Sequence, residues 1–210
     1  MILSAPWCLA SSFDIIAEMD PWFPIETERL LLRELRADDE NDIHEYASDP
    51  EVVRLMIWGP STPDLTREFL DRALQAQAHW PRPEVVLAIE LKSERRLIGS
   101  IGLRMKDEAN RNADIGYVLN RKYWGHGYMT ESACAILDVA FNQLKLHRVW
   151  ATCDTRNRSS YRVMERLGMR REGLFVKDAM EKGEWRDTYL YAILAEEWRG
   201  ASPMPSPGSA

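Results

Sequence analysis

Between an apolar run, Ala113-Asp-Ile-Gly-Tyr-Val-Leu119, and a long stretch of helical periodicity stands Asn120-Arg-Lys-Tyr-Trp-Gly125-His-Gly127-Tyr-Met-Thr130-Glu131. Behind it Met129, Ala133, Ile136, Leu137, Ala140, Phe141 and Leu144 recur at intervals of three, four or one. That spacing puts them on one face of a helix of about four to five turns. The chain must therefore pass from strand to helix through a glycine turn. The first N–H groups of such a helix have no intrahelical partner and lie at the positive end of its dipole, and glycine lets a ligand approach the backbone. A phosphate is the natural guest. A tight connection that binds nothing would use the same glycines for positive φ. Two familiar phosphate turns do not fit the spacing. A dinucleotide fingerprint needs a third small residue where Thr130 stands, and a P-loop needs a closing Gly-Lys-Ser/Thr that is absent.

The rest of the chain supplies the sheet around this unit. Thr27 to Arg33 reads as a first strand, and the acidic stretch Asp38 to Asp42 favours the N-terminus of a helix. Residues 62 to 80 form a second helical segment, with Leu65, Phe69, Leu70, Ala73 and Leu74 expected on its buried face. After Pro81 and Pro83, three short runs at 85–91, 97–103 and 113–119 predict an antiparallel meander. Residues 148–153 read as a strand, Asn157 to Leu167 as a short helix closed by Gly168, and Trp185 to Leu194 as the last strand, entered through a hairpin at 177–181. The class is α+β, with an antiparallel sheet joined to a strand, helix, strand unit whose middle strands can be parallel. One domain over 25–199 accounts for the pattern. Residues 1–24 are expected to be an extension, and the Pro- and Ser-rich tail at 200–210 to be disordered.

Composition narrows the function. A formal net charge of −6 argues against a general nucleic-acid binder, and no apolar run approaches the roughly 18 residues of a membrane span. Cys8, Cys134 and Cys153 form no C-x-x-C pair, and His44, His79, His126 and His147 show no metal-ligand spacing, so neither a disulfide framework nor a metal site is expected. The N-terminus lacks the cationic region of a secretory signal, which points to the cytoplasm.

The glycine turn resembles the acyl-CoA-binding motif of the GCN5-related N-acetyltransferases, Gln/Arg-x-x-Gly-x-Gly/Ala. Further segments resemble that superfamily's RimJ/RimL-type branch in the right order: Glu28-Arg-Leu-Leu-Leu-Arg33, Ile115-Gly-Tyr117, Tyr123-Trp-Gly125, Asn157-x-x-Ser160, Glu165-Arg-Leu-Gly168 and Asp187-x-x-x-Tyr191. The resemblance implies a mixed, mostly antiparallel sheet with splayed parallel middle strands and helices on both faces. It also implies acetyl-CoA as cosubstrate, with no metal. Its pyrophosphate would rest on backbone N–H groups of Gly125, Gly127, Tyr128, Met129 and Thr130, with Trp124 and His126 beside them. The pantetheine arm would enter the gap between strands ending near Val118-Leu119 and Thr152-Cys153, close to Asn157 and Ser160. Lys122 stands where the motif has Gln or Arg, and Arg121 is one place early. Arg121, Lys122 and His126 are candidates for phosphate contact, or simply a solvated basic turn.

For catalysis, Asn157 suits an N-cap, and Ser160 falls on the apolar stripe with Val163, Met164 and Leu167. Met164 occupies the place where many relatives carry a proton-donating Tyr. In the RimJ/RimL-type branch the Ser is the proposed donor to the CoA thiolate, which gives Ser160 that role. A hydroxyl bonded only to backbone is the plain alternative. Candidate general bases are Asp114, Asp178 and Glu181, although Ala179 stands where the branch's acid was expected and a bound water could serve. Cys153 is expected to be a small buried residue and not a nucleophile. Trp7, Trp22 and Trp58 fall in segments that border the acceptor cleft or pack into the core. The resemblance implies an acceptor that is the α-amine of a protein or peptide, with a small amine or antibiotic as rival. The negative net charge would suit a cationic acceptor. A silent acyl-CoA-binding sensor is the alternative of another class. Oligomeric state, a homodimer included, is not legible.

Overall fold

The computed structural model describes residues 21–200, so Trp7 and Cys8 lie outside the described residues. The strands are β1 (Ile25–Glu26), β2 (Leu30–Glu34), β3 (Glu84–Leu91), β4 (Arg96–Asp107), β5 (Asn112–Leu119), β6 (Arg148–Asp154), β7 (Arg170–Glu181) and β8 (Glu184–Leu194). They form one sheet in the order β1-β2-β3-β4-β5-β6-β8-β7. Neighbours are antiparallel except β5 and β6, which run parallel. The helices are α1 (Glu40–Ala47), α2 (Pro50–Val53), α3 (Pro63–Gln77), α4 (Tyr128–Asp138) and α5 (Arg158–Arg166).

Alternation along β3 builds a core on each side of the sheet. Val85, Leu87, Ile89 and Leu91 join a cluster that takes in Ala133, Ile136 and Leu137 of α4 and Met164 of α5. Ala88 joins a second cluster with Ile43 and Tyr46 of α1 and Leu70 of α3. Helices therefore cover both faces, as the resemblance implied. The whole stripe expected behind the glycine turn is buried. Burying each of its larger side chains contributes about 1.5–3 kcal/mol. After Asp138 the helix widens into a π-turn over Val139–Gln143, where the Leu144 N–H donates to Val139 O at 3.0 Å. The wider turn still delivers Ala140, Phe141 and Leu144 inward.

Two expectations change. In α3 Leu70 is buried as expected, but the other buried position is Thr66, 1% exposed, while Leu65 is half exposed. The Thr66 hydroxyl is satisfied inside by His44 Nδ1 at 2.9 Å and Thr62 O at 3.2 Å, so a polar side chain can face inward and the stripe turns away from Leu65. The segment at 177–181 is strand and not hairpin: β7 runs to Glu181, and the turn is Lys182-Gly183, both at positive φ as a two-residue hairpin requires. Trp22 is a core residue, packed edge-on against Phe23.

The N-terminal motif has a structural purpose. Glu131, in the first turn of α4, accepts from Thr27 Oγ1 at 2.6 Å, Arg29 N at 2.9 Å and Arg29 Nε at 2.7 Å. Arg29 also donates to His126 O at 2.9 Å and lies over the Tyr128 ring. The start of β2 thus clamps the glycine turn from outside. Burial alone would raise the Glu131 carboxyl; the hydrogen bonds from Thr27 and Arg29 override it and hold the group below its ordinary value.

Candidate active site

Parallel pairing between β5 and β6 covers only Asn112–Arg148, Ala113–Val149 and Asp114–Trp150. Beyond Asp114, β5 remains paired to β4 as far as Leu119, and β6 to β8 as far as Asp154. Each strand is held on its outer side while the inner edges separate. The gap opens into a cleft of about 1110 Å³ whose lining includes Tyr117, Val118, Leu119, Gly125, Gly127, Tyr128, Met129, Thr130, Cys153, Asn157 and Ser160.

The glycine turn closes one end. Gly125 and Gly127 both sit at φ 81°, and Gly127 is the residue before α4. The helix opens with the bond from Glu131 N–H to Gly127 O at 3.0 Å. The N–H groups of Tyr128, Met129 and Thr130 precede it and have no acceptor within the helix. A Cβ added at Gly125 would meet no atom within 4 Å, so the space over the turn is open. N–H groups without a helical acceptor, open space and unpaired strand edges together fit a phosphate with an extended amide-bearing arm. The side chains around the turn are engaged elsewhere. Arg121 Nε pairs with Asp49 at 2.9 Å, Lys122 Nζ with Glu45 at 2.5 Å, and the Trp124 indole donates to Leu119 O at 2.8 Å. His126 stacks on Tyr128.

At the other wall Asn157 caps α5, its side-chain oxygen accepting from Ser160 N–H at 3.1 Å. The cap fixes the first turn so that Ser160 faces the gap. There the Tyr117 hydroxyl, from β5, donates to Ser160 O at 3.1 Å and lies 3.3 Å from Ser160 Oγ. This bridge joins the two walls of the splay. Burial pushes the Tyr117 phenol up, opposed by the Ser160 hydroxyl, so it stays protonated. Burial likewise pushes the Cys153 thiol up to about 11, with the Ser160 hydroxyl bond acting against it. A thiol held protonated is a poor nucleophile. Tyr117 belongs to the Ile115-Gly-Tyr117 element, yet sequence spacing gave it no role; its contact with Ser160 lies 43 residues away.

The carboxylates separate. Asp114 is buried and lines the cleft at the last parallel pair, but both oxygens are taken by Arg104, at 3.0 and 2.7 Å, with Lys106 3.7 Å away. Asp178 is exposed on edge strand β7 and Glu181 stands at its end; neither is among the cleft-lining residues. Trp58 does line the cleft, together with Met56, Leu65 and Phe69. Asp154, the last residue of β6, accepts from Arg156 and Arg186. Burial would raise its carboxyl, but the Arg156 and Arg186 hydrogen bonds bring it down to about 2. Among the described residues no group of three or more His, Cys, Asp or Glu could hold a metal ion, and no helix is long and apolar enough to cross a membrane.

A family profile described as "Acetyltransferase (GNAT) domain" matches residues 29–170. The chain is 39% identical over 174 residues to the uncharacterised N-acetyltransferase YnaD of Bacillus subtilis, covering 83% of this chain and 98% of that one. It is similar to the crystal structure of a GNAT-family acetyltransferase from Bacillus anthracis, with a TM-score of 0.74, 39% identity, and coverage of 82% and 99% of the two chains. A shorter match, 30% identical over 84 residues, covers 40% of this chain and 43% of the [ribosomal protein uS5]-alanine N-acetyltransferase of Escherichia coli.

Proposed function

The chain belongs to the GNAT acetyltransferase family, and from that premise we propose that it moves the acetyl group of acetyl-CoA onto an α-amine within one ternary complex. The observation that carries this reading is the splay itself: pairing stops at Asp114–Trp150, and the separated edges lead from the glycine turn to the Tyr117–Ser160 bridge. Acetyl-CoA supplies an acetyl thioester, whose carbonyl carbon accepts a neutral amine. The N–H groups of Gly125 to Thr130 take the pyrophosphate. The free edges beside Val118-Leu119 and Thr152-Cys153 bond the amides of the arm. With Arg121 and Lys122 already paired to carboxylates, backbone carries most of the phosphate contact.

As the new N–C bond forms and the C–S bond breaks, the departing sulfur needs a proton. Ser160 Oγ stands where it can donate, and the Tyr117 hydroxyl 3.3 Å behind can replace that proton. The amine loses its proton to water. Asp114 is bound on both oxygens by Arg104 and holds the vertex of the splay in this reading, while Asp178 and Glu181 lie off the cleft lining. An α-amine of pKa about 7.7–8.0 is roughly 10–20% neutral at pH 7, so it needs no strong base; a lysine amine would. The alanine-directed relative supports an α-amine acceptor.

A mass-spectrometric screen of the protein with acetyl-CoA and a panel of peptides, amino acids, polyamines and aminoglycosides tests this. Acetylated product is expected on α-amines, with free thiol released in equal amount. The rate at low acceptor concentration should rise with pH and level off near pH 8. Acetylation confined to lysine-like amines would overturn the acceptor class. Tight acetyl-CoA binding without turnover on any amine would mark a sensor instead.

A further inference from the structure

The hairpin between β7 and β8 reaches α2. Lys182, at its tip, donates to Val53 O at 2.6 Å. Between the two elements is a second pocket of about 310 Å³, lined by Arg54, Leu55, Arg156, Lys182, Glu184 and Arg186. Arg54, Leu55 and Arg156 also line the cleft, so the two spaces adjoin. No residue of the glycine turn lines this pocket. It therefore adjoins the cleft away from the proposed phosphate cradle.

Its charge is opposite to that of the chain. Four of the six lining residues are cations and one is a carboxylate, in a chain of net charge −6. The facing carboxylates do not exhaust them. Asp154 takes one bond from Arg186 at 2.8 Å and also holds Arg156. Glu184, mostly exposed, reaches Arg156 at 3.4 Å and Arg186 only at 3.9 Å. Glu51 lies 3.6 Å from Arg54, with both side chains exposed. Arg186 is only 8% exposed, yet its buried Nε–H has no hydrogen-bond partner. Buried charged donors are normally satisfied, because leaving one bare forfeits its solvation. Burial and the nearby Arg186 cation also hold the Lys182 ammonium below its ordinary value, against the Glu181 carboxylate, which acts to raise it.

We propose that this pocket binds a carboxylate carried by the acceptor, so that the substrate is the α-amine of an acidic peptide. The proposal rests on the acetyltransferase reading and refines it. A guanidinium presents N–H groups in a fork that matches a carboxylate, and Arg54 and Arg186 bring two such groups to one small space. Anchoring the carboxylate there holds the amine end of the same molecule in the adjoining cleft, which is the positioning that direct transfer needs. The cationic acceptor expected from the net charge is disfavoured, since the local field decides and not the total.

The test uses the full chain and two measurements. Thiol release is followed with paired peptides that differ only in a side-chain carboxylate against its primary amide, so that the α-amine is the same in both. Separately, calorimetry titrates succinate, which has no amine, and inorganic phosphate. Wild type should favour the carboxylate member by roughly tenfold in kcat/KM, the scale of one charge-assisted hydrogen bond, and should bind succinate better than phosphate. Arg54→Gln, at an exposed site where folding is not at stake, should remove most of that preference and weaken succinate about tenfold, with KM for acetyl-CoA unchanged. Lys182→Gln is the second variant, checked by melting temperature because it also loses the Val53 bond. Equal rates on acid and amide, or a preference that survives both substitutions, would overturn the pocket. So would a raised KM for acetyl-CoA in Arg54→Gln, or tighter binding of phosphate than of succinate. Succinate binding that is lost in the variants, in a protein that acetylates no amine, would leave the pocket standing and overturn the acetyltransferase reading instead.

Discussion

Gly127→Val is expected to weaken acetyl-CoA binding by about a hundredfold or more while the chain still folds. The estimate comes from two charge-assisted backbone bonds, each worth about 1.5–3 kcal/mol, of which a hundredfold represents only about 2.7 kcal/mol. Gly127 precedes α4 at φ 81°, where a β-branched side chain is strained. The substitution costs stability of about 1–2 kcal/mol and tilts the N–H groups of Tyr128 and Met129 away from a common anion. Gly125→Ala separates steric packing from site. It shares the same φ, but its added Cβ meets nothing within 4 Å in the protein itself. It should lose stability only by that φ, about 1–2 kcal/mol, and because the methyl group occupies the space over the turn, acetyl-CoA affinity should also drop. Unchanged calorimetric affinity in both variants would remove the phosphate from the turn.

Ser160→Ala is expected to lower kcat roughly ten- to hundredfold with KM for acetyl-CoA unaltered. General acid catalysis contributes about 10² to 10⁴. A thiol leaving group of pKa near 8.5 needs the least help, which places the effect at the low end. Tyr117→Phe should act in the same direction, since the phenol is the group behind Ser160 Oγ at 3.3 Å. If the two serve as one relay, the double variant loses little more than the worse single one. The N-cap survives Ser160→Ala, because Asn157 receives the backbone N–H of residue 160 and not its hydroxyl. A fall in stability in place of a fall in kcat would mean that the bridge only packs the walls together. An unaltered turnover number would take Ser160 out of the chemistry.

Local periodicity carried most of the fold. The meander at 84–119, the stripe behind the glycine turn and the Asn157 cap depend on neighbours within a few residues, so the sequence displays them directly. Strand β7 escaped because it is an edge strand, with Leu174, Phe175 and Val176 all exposed and no alternation to reveal it. Leu65 misled because a hydroxyl with two buried partners took the inward place. The site shows the same division. The backbone cradle follows from glycine spacing, whereas the clamp of Glu131 on Thr27 and Arg29 spans more than a hundred residues, and the Tyr117–Ser160 bridge spans 43. Contacts at such separations leave no period in a single sequence. The cationic pocket is a sharper case: Arg54, Arg156, Lys182 and Arg186 come from three distant segments, and only the fold brings their charge together against the sign of the whole chain.

A crystal structure of the protein with CoA bound tests the central claim most directly. The account predicts the pyrophosphate within hydrogen-bond distance of the backbone N–H groups of residues 125–130, the arm between β5 and β6, and the sulfur within reach of Ser160 Oγ. CoA seated outside the splay, or its sulfur remote from both Ser160 and Tyr117, would contradict it.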